Sequence, residues 1–120
     1  MSIPQSDSPH REWRMVQRYT VVAATEIADL TKAVRLSGRV IEVSRNGCFV
    51  YASMTPSVGT MLDMKICCDQ GTFETKGKAI YVQEHLGFGV TFLNPPEDQL
   101  RILESWIAQL ASATVEKTDG

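Results

Sequence analysis

A positive charge excess, long apolar runs and paired cysteines are all missing from this sequence, and each absence removes a class of function. The 120 residues carry 12 lysines and arginines against 14 acids, for a net charge of −2. General nucleic-acid binding needs a broad cationic surface that neutralises phosphates, so DNA and RNA are set aside as partners. No stretch approaches the about 20 apolar residues that span a bilayer, which argues against membrane insertion by a helix. The opening MSIPQSDSPH has neither the basic start nor the apolar stretch of a secretory signal, so a cytoplasmic location is expected. The three cysteines, Cys48, Cys67 and Cys68, are odd in number and lack metal-ligand spacing. A strand would turn the adjacent pair to opposite faces, and all three read as buried or idle thiols in a reducing cytosol.

Catalytic machinery is equally thin. The two histidines, His10 and His85, stand beside no matched nucleophile or carboxylate in sequence. Phosphate loops place several glycines at the start of a helix, whereas Gly87-Phe88-Gly89 leads into the strand-like Val90-Thr91-Phe92. Two histidines and scattered carboxylates make no recognisable metal set. The chain therefore reads as a non-enzyme, with no catalytic residue, metal or cofactor expected.

What is present is one modest folded unit. Residues 1–10 read as a flexible lead-in, 11–111 as the domain and 112–120 as a small, polar, fraying tail. Strands are expected over 19–27, 38–43, 48–51 and 61–68. Two more, over 73–76 and 78–82, are separated by Gly77, and a last one covers 89–92. In 61–68 the alternation is clear, with Leu62, Met64, Ile66 and Cys68 on one face and Asp63 and Lys65 on the other. Asn46-Gly47 favours positive φ and a tight turn. Short strands without intervening helices argue for an antiparallel barrel or sandwich. The period then changes. Leu100, Leu103, Trp106, Ile107 and Leu110 share one helical face, with Asn94 as cap and Pro95 in the first turn. That stripe fits either packing on the barrel or a partner surface.

Two clusters could carry recognition. Arg11, Arg14 and Arg18 precede the first strand, with Trp13 and Tyr19 among them. The arginine fork matches phosphate oxygens or the Hoogsteen edge of guanine, and its plane stacks on bases. A solvated basic lead-in has the same appearance, and spacing does not separate the two. The second cluster is Glu42-Val43-Ser44-Arg45-Asn46-Gly47. Glu42 and Ser44 fall on one face of a strand end, where a carboxylate could accept from a guanine and a hydroxyl could add a bond. Gly47 permits a tight turn or close approach, and an ordinary exposed β-turn fits as well.

In this order the pieces resemble the PilZ domain family, marked by RxxxR ahead of the first barrel strand and [D/N]xSxxG after the second. Arg14-Met15-Val16-Gln17-Arg18 matches the first motif, and Glu42 to Gly47 matches the second except at its opening residue. The segment from Gly87 to Phe92 also looks like that family, and the resemblance covers roughly residues 11–110. It implies an all-β fold, a six-stranded antiparallel barrel with a C-terminal helix, that binds cyclic di-GMP. Arg14 and Arg18 would clamp guanine and phosphate groups, Ser44 and Gly47 would contact the ligand at the turn, and Arg39 would lie near the same end. Glu42 keeps the charge of aspartate but adds a methylene, which implies weakened binding. The resemblance further implies a mobile arginine segment that orders on the ligand and signals to an unidentified protein effector. The alternative within the family is an adaptor that binds protein and no nucleotide.

Overall fold

The computed structural model describes residues 17–119. Arg14, together with Arg11, Trp13, His10 and the lead-in, lies outside the described residues. Six strands follow in order: β1 (Arg18–Asp29), β2 (Val34–Ser44), β3 (Gly47–Tyr51), β4 (Met61–Cys68), β5 (Gly71–Gln83) and β6 (Gly87–Leu93). Helix α1 (Glu97–Asp119) closes the chain. The strands form a closed barrel in the order β1-β2-β3-β6-β5-β4, with every neighbouring pair antiparallel. The expected six-stranded barrel with one C-terminal helix is therefore what the chain adopts.

Alternation dictates which way each strand faces. Leu62, Met64 and Ile66 of β4 are buried, while Asp63 and Lys65 between them are exposed. Equivalent residues of the other strands complete one core that includes Ile27, Val40, Val43, Val50 and Val90. Phe73 and Phe92 meet edge to face at 5.2 Å within it.

The structure departs from the sequence reading within several elements. Gly77 does not split its segment, because β5 runs unbroken from Gly71 to Gln83. A side chain at Gly77 would put its Cβ 2.5 Å from Val90 Cγ1, so this glycine answers crowding inside the barrel rather than a break. Asn94 does not cap α1. It takes a positive φ of 44° in the turn out of β6, and the first helical bond runs from Leu100 N–H to the Pro96 carbonyl at 2.8 Å. Pro96, lacking a donor, is the residue at the helix start. Finally, the helix continues past residue 111 to Asp119, since no glycine or proline stands between Pro96 and Gly120.

The barrel has two unlike poles. At one, β1 begins, the β2–β3 turn lies and α1 docks; Leu103 and Trp106 enter the core there, as the helical stripe predicted. Gln99 of α1 accepts from the Glu74 N–H of β5 at 2.7 Å, which fixes the helix along that strand. At the other pole, the β1–β2 and β5–β6 turns flank a longer connection from β3 to β4. These strands are not neighbours, so residues 52–60 cross the mouth of the barrel. Ala52 N–H donates to the Leu86 carbonyl, and Gly59 N–H to that of Ala79, pinning the crossing to its surroundings.

Candidate functional site

The β2–β3 turn is built by a side chain. Ser44 is fully buried, and its Oγ accepts from the N–H groups of Asn46 (3.1 Å) and Gly47 (3.2 Å). The same hydroxyl donates to the Gly47 carbonyl at 3.3 Å. Positive φ was expected at Asn46-Gly47. Instead, among the described residues it occurs at Ala33, His85, Asn94, Gly59 and Gly71. The hydroxyl supplies the turn's bonds, so a left-handed backbone is not needed. The Asn46 carbonyl accepts from Phe92 N–H at 2.8 Å and ties the turn to β6.

The two motifs meet across β1 and β2. Arg18 is the cross-strand partner of Ser44, and Thr20 that of Glu42. Arg18 Nη1 lies 3.5 Å from Glu42 Oε1, with both side chains about one third exposed. Val43 points into the core, Glu42 before it is part-exposed on the outer side, and Ser44 after it is buried inside the turn. Register slips between Thr20 and Ala23 of β1, and between Val40 and Glu42 opposite β3, twist this corner of the sheet. Bulges of this kind re-aim side chains at the edge of a site. Arg45 and Asn46 stand exposed at the tip of the turn. With Gln17, Tyr19 and Ile107 they line a cleft of about 340 Å³ between the start of β1 and the helix.

An aromatic plate continues the same outer wall. The register runs Thr20–Glu42–Phe49 across β1, β2 and β3, then through Gly89 of β6 to Tyr81 of β5. Phe49 and Tyr81 stack at 6.1 Å with an interplanar angle of 26°. Tyr81 lies on Gly89 and Phe49 on Gly87, where any added Cβ would overlap the rings. Burial first, and then the charge of Glu42, push the Tyr81 phenol above its usual range. Sequence reading passed over both rings. The available signal was the alternation Gly87-x-Gly89, which leaves a trough on one face of a strand that aromatics from neighbouring strands fill.

Arg39 does not join this group. It pairs with Ala24 and Tyr51, at the end of β3 remote from Gly47, five residues along β2 from Ser44. That separation is roughly 16 Å at the rise of a strand. A strand running the length of the barrel delivers residues to both poles, and register rather than spacing decides which. Arg18, Glu42, Ser44 and Gly47 are brought together, while Arg14 lies outside the described residues.

Among the described residues no group of three or more His, Cys, Asp or Glu side chains could hold a metal. No helix among them is long and apolar enough to cross a membrane. All three cysteines are free, and burial pushes the Cys48 thiol far above its ordinary value.

Fold and cleft together define a small closed barrel that gathers Arg18, Glu42 and the β2–β3 turn near one pole. The chain belongs to the PilZ domain family, whose sequence pattern matches residues 10–109. No curated protein matches the sequence at a significant level. Among solved structures, the PilZ domain of Escherichia coli YcgR with c-di-GMP is similar, at 17% identity and a TM-score of 0.70. That match covers 87% of this chain and 95% of the other. The Bacillus subtilis inhibitor of motility MotI/DgrA aligns at 15% identity and a TM-score of 0.68, over 82% of this chain and 52% of its own. The K. pneumoniae MrkH–c-di-GMP complex aligns at 12% identity and a TM-score of 0.67, over 83% and 52%. This chain thus spans about half the length of the latter two proteins.

Proposed function

We propose that this chain is a receptor for cyclic di-GMP, bound on the outer wall at the arginine pole. The observation that carries the reading is the meeting of the two motifs, with Arg18 across from Ser44 and beside Glu42. The solved PilZ domain of YcgR with c-di-GMP and the MrkH–c-di-GMP complex support the choice of ligand. Arg18 and Arg14 supply forks for guanine O6 and N7 and for phosphate. The Glu42 carboxylate accepts from guanine N–H groups, and the Tyr81–Phe49 plate offers a face for a base. Ser44 acts through the turn, since its hydroxyl is already engaged there. Gly47 and the exposed Asn46 and Arg45 form the turn's ligand-facing part. Arg39 is left out of this site on grounds of distance. The segment from Arg11 to Arg18 orders on the ligand and changes the surface shown to a protein effector. The chain works without catalysis, and its free thiols fit a reducing cytosol.

A second reading has one observation in its favour. Glu42 already holds Arg18 at 3.5 Å, and a self-satisfied pair has less reason to open for a nucleotide. On that reading the barrel is an adaptor that acts through protein contacts alone. Isothermal titration with cyclic di-GMP, with GTP as control, separates the two. The receptor reading expects saturable binding that weakens about tenfold or more in Arg18→Ala, the loss of one charged hydrogen-bonding partner. Absence of binding by the folded protein, or an Arg18→Ala variant that binds like the parent, overturns it.

A further inference from the structure

The pole opposite the arginines is the apolar one. Among the described residues eight large hydrophobic side chains are exposed, and all but Val22 lie at or beside this pole. Leu30 and Met61 meet there, with Leu30 N–H donating to the Met61 carbonyl at 3.0 Å. Tyr51 and Leu86 stand at the far side of the mouth. The connection that crosses the mouth buries Pro56 and turns Met54 (67% exposed) and Val58 (63%) outward. Single exposed hydrophobics are common on any surface, but their concentration at one end of a barrel is not.

Charge at this pole runs against the balance of the whole chain. Lys78 is the cross-strand neighbour of Met61, and Arg39 that of Tyr51. Lys32 lies in the β1–β2 turn and Arg35 follows Val34 in β2, and all four cations are exposed. The acids nearby are mostly engaged or confined to the Arg35 side. Asp29 is buried, with its carboxylate accepting from the N–H groups of Thr31 (2.9 Å) and Lys32 (3.0 Å), and Asp63 is paired with Lys76 at 2.9 Å. Glu26 shares a cleft with Arg35, and Glu84 of the β5–β6 turn is exposed, so Lys32, Arg39 and Lys78 outnumber the acids around the mouth. A chain of net charge −2 therefore sets cations around an apolar centre.

An apolar centre with a charged rim is the anatomy of a protein interface, where the rim steers and the centre anchors. Methionines suit such a centre because they reshape around different partners. A second copy docked about a two-fold axis would set this cationic rim against itself. A lipid surface would need projecting anchors, yet only Met54 and Val58 stand more than half exposed, the others lying half-covered on the barrel wall. We propose that this pole, centred on Met54, Val58 and Met61 and rimmed by Lys32, Arg39 and Lys78, docks an acidic protein segment carrying apolar anchors. The assignment stands whether or not the arginine pole takes a nucleotide.

The test uses two sets of short fluorescent peptides of matched hydropathy. One combines Leu and Met with Asp and Glu, the other with Lys and Arg, and binding is read by anisotropy. The acidic set is expected to bind and the basic set not to. Met54→Asp should weaken acidic binding about tenfold, as loss of a central anchor does. Lys32→Glu combined with Lys78→Glu should exchange the preference, with circular dichroism showing each variant folded. Equal binding of both sets, or binding of neither, overturns the proposal. So does capture by phosphatidylglycerol vesicles that Met54→Asp abolishes, which assigns the pole to membrane. A dimer in sedimentation equilibrium that Met54→Asp dissociates overturns it in favour of a second copy. Nucleotide titration of the same variants reads the arginine pole separately, so failure of either proposal is distinguishable from failure of the other.

Discussion

The two poles of this barrel solve the same problem, closing a strand-to-strand connection, in opposite ways. At the arginine pole a buried serine satisfies the turn, and beside it Arg18 pairs with Glu42. At the other pole the connection from β3 to β4 must cross an open mouth, and it does so with apolar side chains facing solvent. The difference teaches that one rigid frame can keep two recognition chemistries apart. Strand β2 contributes to both, with Glu42 and Ser44 near one end and Arg35 and Arg39 toward the other. A ligand that reorders one end of this strand therefore acts on an element that also carries cations of the other.

The largest effect in this comparison should come from Ser44→Ala. Removing the hydroxyl orphans the N–H groups of Asn46 and Gly47, and the expected loss is about 1–3 kcal/mol in urea unfolding. Cyclic di-GMP affinity should fall with it, while acidic peptides at the apolar pole bind as before. If both poles lose binding together, they are not independent. The next change acts on the frame they share. Burial raises the Cys48 thiol, so the native state keeps its proton after the unfolded thiol has lost its own. Stability contributed this way is complete below the ordinary thiol pKa of 9.0 and declines above it as pH rises. The slope is about 1.4 kcal/mol per pH unit, and Cys48→Ala should flatten it in unfolding curves taken across that range. Smallest is Glu42→Asp, which shortens the carboxylate toward the family's motif. It should tighten cyclic di-GMP by a few-fold, under about 1 kcal/mol, through lower side-chain entropy. Weaker binding in this variant would mean that the longer arm of Glu42 suits the pocket that Tyr81 and Arg18 define.

Much of this was legible from residues alone, and the limits are instructive. The β4 alternation predicted both its bounds and its buried face, because a two-residue period has one way to sit on a core. The helical stripe likewise named Leu103 and Trp106, which the core contains. Gly77 read as a break because crowding from Val90 is invisible along the chain. Asn94 read as a cap because its propensity is local, whereas the place where α1 starts depends on how β6 hands the chain across the barrel. The motifs were readable by their spacing, but Phe49 and Tyr81 were not: Phe49 meets Glu42 only through the β2–β3 register, and Tyr81 only after two further strand pairings.

The sequence by itself determined the period of most segments, an antiparallel β fold, the resemblance to the family and the residue types able to recognise a guanine or a phosphate, since these depend on side-chain chemistry and short-range order. Only the tertiary structure decided which residues share a pole. Antiparallel register moved Arg39 away from Ser44 and beside Tyr51, set Arg18 across from Ser44, and gathered apolar side chains from three separate turns and their flanking strand ends at one mouth. Closure of the barrel sets that register, and closure is a condition on all six strands at once.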